Sequence, residues 1–86
     1  MRGNRGFRKK PYPRRGDIAE AIIAVLALKP FIHPDDLVEE VRRELEKRKF
    51  YVGLVSAKRV WNEYVYLVKK RRIYDVLNVV DTGRLE

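Results

Sequence analysis

The sequence predicts a mainly α-helical domain closed by a short β-hairpin. Apolar residues recur at helical spacing in three successive stretches, each bounded by helix start and stop signals. The last stretch is instead rich in β-branched residues around an Asp81-Thr82-Gly83 turn. Ahead of all four lies a segment with almost nothing to bury. These observations divide the chain into a basic arm, residues 1–16, and a folded domain, residues 17–86.

Residues 1–16 contain Arg2, Arg5, Arg8, Lys9, Lys10, Arg14 and Arg15, and no acid. With their Gly and Pro content they read as a disordered cationic arm. Such an arm can lie along phosphates or in a minor groove without a fixed structure. The remaining residues hold thirteen basic and twelve acidic side chains, so the arm carries most of the net charge of +8. A basic start followed by an apolar run also imitates an export signal. Glu20 interrupts that run, no small-residue cleavage site precedes Lys29-Pro30, and the run is too short to span a bilayer. The expected location is the cytoplasm, at the nucleoid, with no membrane partner.

The first helix is expected over residues 17–28, with Asp17 and Glu20 as a capping box and Pro30 as its stop. Ile18, Ile22 and Val25 share a face, flanked by Ile23 and Leu26. An arc that wide predicts burial beneath two helices or, alternatively, a homodimer contact through helix 17–28. The second helix is expected over 34–48. Pro34 occupies its first position, Asp35 and Asp36 its first turn, and Leu37, Val38, Val41 and Leu45 its inner stripe. Arg42, Arg43, Lys47, Arg48 and Lys49 suit the negative pole at its end. His33 reads as a loop residue at the helix entrance.

Residues 50–55 form a turn around Gly53. The third helix, 56–71, then starts at Ser56, whose hydroxyl can accept from a first-turn amide. Val60, Trp61, Tyr64, Val65, Leu67 and Val68 line its apolar face. Lys58, Arg59, Asn62, Glu63, Tyr66 and Lys69 line the other, and Lys70, Arg71 and Arg72 come next. Arginine and asparagine can pair bidentately with guanine and adenine edges, and the cations can neutralise phosphates. Glu63, on the same face, would repel them. Residues 73–86 favour a hairpin, although Ile73, Val76, Leu77 and Val80 also fit helical spacing.

Three helices, a turn before the third and a terminal hairpin resemble the winged helix-turn-helix DNA-binding family. The likeness is carried by Val55-Ser56, Val60-Trp61, Tyr64, Leu67-Val68 and Ile73, a pattern of residue classes spanning roughly 17–86. It implies that helix 56–71 enters the major groove and presents Lys58, Arg59, Asn62 and Tyr66. It also implies a wing contact by Arg84. A second resemblance uses Lys70-Arg71-Arg72-Ile73-Tyr74-Asp75 and Asn78-Val79. These look like the recognition helix of the retinoblastoma-regulated cell-cycle factors and their DP partners, which implies helix over 69–81 and base reading by Arg71 and Arg72.

Composition narrows the function classes further. No cysteine is present and His33 is the only histidine, which removes thiolate metal sites, cysteine nucleophiles and a Ser-His pair. No paired carboxylates or phosphate-cradling glycine loop appear, so neither an enzyme nor a cofactor or metal is expected. Glutamine is absent and charge abundant, a composition associated with thermophiles. The expected function is binding of double-stranded DNA by a small transcriptional regulator or chromatin-associated factor. RNA or ribosome association through the arm, and a protein-interaction module, are the alternatives.

Overall fold

The computed structural model describes residues 10–75 and 77. Three helices succeed one another: α1 (Arg15–Leu28), α2 (Pro34–Lys47) and α3 (Ala57–Lys69). α1 starts two residues earlier than its sequence signals predict. Asp17 is not its cap; it sits at the third helical position and accepts from the Arg14 backbone N–H at 2.8 Å. Arg15 and Gly16, expected in the arm, are therefore helical. α2 begins at Pro34, with His33 as its cap: the Nδ1 atom accepts from the Asp35 amide at 3.1 Å. α3 begins after Ser56, whose Oγ accepts from the Arg59 amide at 3.1 Å, as the sequence predicts.

α2 and α3 end the same way. Lys49 and Arg71 adopt φ of 73° and 60°, the left-handed conformation that usually selects glycine. Behind α2, the Phe50 amide reaches the Leu45 carbonyl (3.0 Å) and the Lys49 amide that of Glu46 (2.9 Å). Behind α3, the Arg72 amide reaches Leu67 (2.8 Å) and the Arg71 amide reaches Val68 (2.9 Å). These paired bonds satisfy carbonyls that a helix end leaves open, which holds a cation where glycine would be easier.

The core is built from Ile18, Ile22 and Val25 of α1, Leu37, Val41 and Leu45 of α2, and Val60, Tyr64 and Leu67 of α3. Ala19 and Ala21 let the other helices approach α1 closely. α1 contacts both partners more extensively than they contact each other. Its wide apolar arc is thus covered mostly within the chain, with Ile23 and Leu28 left exposed. Between α2 and α3, the Arg42 guanidinium donates to the Val55 carbonyl at 2.7 Å and pins the turn.

The expected hairpin, and with it the winged-helix architecture, is corrected by the path after α3. Among the described residues there is no strand. Arg71 turns the chain, and the hydroxyl of fully buried Tyr64 then holds the returning segment: it donates to Asp75 Oδ1 (2.7 Å) and accepts from the Leu77 amide (3.2 Å). Burial, reinforced by the Asp75 hydrogen bond, pushes the Tyr64 phenol up to about 12. Ile73 and Leu77 therefore reach the core as point contacts of an irregular segment rather than as a strand face. The same path overturns the described part of the helix expected over 69–81: α3 ends at Lys69 and residues 70–75 are not helical, while 76 and 78–81 lie outside the described residues. The turn at 81–83, Arg84 and the rest of 78–86 lie outside the described residues. No helix among the described residues is long and apolar enough to cross a membrane.

Candidate nucleic-acid interface

Lys58, Asn62, Tyr66 and Lys70 succeed one another at four-residue intervals, which makes them a single ridge along α3. All four are exposed, as are Lys69, Arg71 and Arg72. Residues 56–72 contain six cations and one acid, Glu63. That acid does not oppose an anion as its sequence position suggests. It is 6% exposed, rotated toward α1, and bound by Arg15 with Nε 2.9 Å from Oε1. The hydrogen bond and the negative charge of Glu63 together raise the Arg15 pKa above its ordinary value.

Arg15 also lies over the Tyr66 ring, its guanidinium carbon 4.4 Å from the centroid, and Lys70 Nζ is 5.7 Å from the same centroid. The quadrupole of an aromatic face attracts both cations and holds them side by side. A cleft of about 300 Å³ opens between α1 and α3 at this point, bordered by Arg15, Glu63, Tyr66 and Arg72. Arg15 and Arg72, far apart in sequence, thus border one concave surface. Arg71 and Arg72 border a second depression with Val68, Ile73, Tyr74 and Asp75. A phosphate approaching the end of α3 would meet Arg15, Lys70, Arg72 and the Tyr66 hydroxyl together.

Arg59 differs from its sequence expectation. It is half-buried, and its Nη2 donates to the Pro13 carbonyl at 3.2 Å. The Tyr51 amide donates to the Pro11 carbonyl at 2.9 Å, Pro13 is buried, and the Tyr12 and Tyr51 rings meet at 5.4 Å. Residues 10–14 therefore form an extended strap across the α2–α3 turn and the start of α3. Arg59 anchors this strap, so only its other N–H groups remain for a ligand. Lys10 and Arg14 are exposed on the strap, whereas Arg2, Arg5, Arg8 and Lys9 lie outside the described residues.

Sequence spacing does not single out Tyr12, Tyr51 or the placement of Arg15. The interleaving of Tyr12 with Lys10 and Arg14, and of Tyr51 with Lys49, is the local signal that could draw attention to them. The polar surface of α2 presents a different arrangement. Glu40 takes Lys29 (2.8 Å) and Arg43 (3.0 Å), while Glu44 takes Arg48 (2.8 Å) and Lys47 (3.6 Å). No protein-family model, no curated protein and no solved structure matches the chain.

Proposed function

We propose that this chain binds double-stranded DNA through the exposed ridge of α3, as a small transcriptional regulator or chromatin-associated factor of the nucleoid. The observation that carries the reading is the neutralisation of Glu63 by Arg15, which leaves the residues Lys58, Asn62, Tyr66, Lys69 and Lys70 along α3 with no unpaired acid of that helix opposing them. A helix of 13 residues is about 20 Å long, and its diameter matches a B-form major groove. Asn62, at mid-helix, is the side chain suited to an adenine edge. Lys58, Lys69, Lys70 and Arg72 are suited to phosphates, whose neutralisation releases counterions and makes affinity fall with salt. Arg59 acts here mainly through the strap it holds, and the basic residues of 1–16 add a sequence-independent attraction.

Fluorescence anisotropy with a labelled duplex, repeated across salt concentrations, tests the reading. Lys58→Ala and Lys69→Ala should each weaken binding on every sequence and reduce the salt slope by about one. Asn62→Ala should cost about 1–3 kcal/mol on a preferred sequence and little elsewhere. A structured RNA that binds more tightly than duplex DNA, with these variants unchanged, would replace the DNA reading by the RNA one. A-form major grooves do not admit a helix.

A further inference from the structure

Residues 1–16 and residues 48–62 are both basic and contain no Asp or Glu. The fold lays the end of the first against the second, through the Tyr51–Pro11 and Arg59–Pro13 hydrogen bonds. At their meeting point Tyr12 and Tyr51 pack at 5.4 Å and 56°, yet they remain 59% and 44% exposed. Two tyrosines that touch and stay about half open to water keep part of each ring accessible for a further contact. Gly53 contributes to the arrangement: a Cβ there would collide with the Tyr51 phenol, so the glycine lets that ring lie close to the turn. Exposed cations flank the pair in sequence, namely Lys10, Arg14 and Lys49, and Arg59 holds the strap from beneath. Arg48 is excluded from this set because it pairs with Glu44 and Glu20.

We propose that Tyr12 and Tyr51 form a stacking platform for unpaired bases of a single-stranded nucleic acid, whose phosphates are met by the flanking cations. The chemistry is the one by which sequence-tolerant single-strand binders work: aromatic faces take bases and a basic groove tracks the backbone. Tyr66 is not equivalent, because Arg15 and Lys70 already occupy its surroundings. The platform lies at the strap and turn, outside the α3 ridge, so this inference stands beside the duplex reading and does not depend on it.

The test titrates the full chain with three labelled strands of about eight nucleotides, within the site sizes such platforms take: oligo-dT, oligo-U and an abasic sugar-phosphate strand of equal charge. The base-bearing strands should bind about tenfold more tightly than the abasic one. Tyr12→Leu should remove that advantage and leave abasic binding unchanged, while Tyr12→Phe retains it. Tyr51→Leu should act as Tyr12→Leu does, with helix content by circular dichroism reporting that α1–α3 persist. A preference for oligo-U over oligo-dT, or the reverse, would identify the sugar the platform favours, and either supports it. Equal binding of the abasic strand, an undiminished Tyr12→Leu variant, or no binding of any single strand overturns the proposal. In that last case retained duplex binding would leave the α3 reading intact.

Discussion

α2 and α3 are built alike and charged differently. Each is an amphipathic helix of 13 or 14 residues with a side-chain cap at its start and a cation in the left-handed position past its end. Each gives three large apolar residues to one core. Yet α2 holds six acids and three bases, and its cations sit beside carboxylates: Glu40 takes Lys29 and Arg43, and Glu44 takes Lys47 and Arg48. On α3 the one acid turns inward to Arg15. A polar helix face therefore has two uses that composition alone does not separate. Where opposite charges pair locally, the face is a solvated rim; where like charges accumulate, it is available to a polyanion.

The largest effect should fall on the core that the helices share. Leu45→Ala in α2 and Leu67→Ala in α3 each remove a fully buried side chain and should destabilise by about 2–5 kcal/mol in urea unfolding. Comparable losses are expected, because the inner faces are equivalent. A loss confined to one helix would mean that the other does not belong to the cooperative core.

Charge removal should then separate the helices. Lys69→Ala with Lys70→Ala on α3 should weaken duplex binding severalfold in moderate salt while changing stability by no more than about 0.5 kcal/mol, as for surface positions generally. Arg43→Ala with Lys47→Ala on α2 should leave duplex affinity near that of the unaltered chain. Equal affinity losses from the two pairs would reduce the proposed interface to net charge.

Substituting the strained cations is a finer probe. Lys49→Gly and Arg71→Gly should each stabilise by about 1 kcal/mol, since glycine adopts positive φ without the Cβ penalty. Thermal unfolding checks the gain. Only Arg71→Gly should also weaken duplex binding; a similar loss with Lys49→Gly would extend the duplex interface to the end of α2.

The smallest expected effect concerns pH. The Lys29 hydrogen bond, with the nearby cations, holds Glu40 below its ordinary pKa, and the Arg48 hydrogen bond does the same for Glu44. A carboxylate whose folded pKa is depressed contributes stability above its unfolded value, about 4.3 for glutamate, and loses it as pH falls through the folded value. Both groups are solvent-accessible, so the contribution is modest. Melting temperature should decline as pH falls below that value, and Glu40→Gln with Glu44→Gln should flatten the decline. An unchanged slope would remove these pairs from the stability of α2.

Local signals made much of this fold legible. Pro34 with its acidic first turn, Ser56 ahead of an apolar period, and Leu37, Val41 and Leu45 at helical spacing are all short-range features, and each is used as expected. The departures come from pairings that leave no trace at short range. Glu63 is polar by helical phase, but a partner 48 residues away lets it turn inward. Pro11 and Pro13 look like arm residues until Tyr51 and Arg59 take their carbonyls. The β-branched residues after α3 favour a strand by composition. A left-handed Arg71 and the buried Tyr64 hydroxyl instead draw Ile73, Asp75 and Leu77 into an irregular return. Of the candidate site, the α3 ridge was readable from spacing, whereas its junction with Arg15 and the strap at Arg59 required the tertiary fold.

A backbone-amide NMR titration with a mixed-sequence DNA duplex tests the contrast between the two helices most directly. Shifts should concentrate at residues 57–72 and at Arg15, with residues 39–47 on the paired rim of α2 little changed. Shifts centred on that rim, or an α3 ridge that stays silent while the duplex binds, would contradict the assignment of the interface to α3.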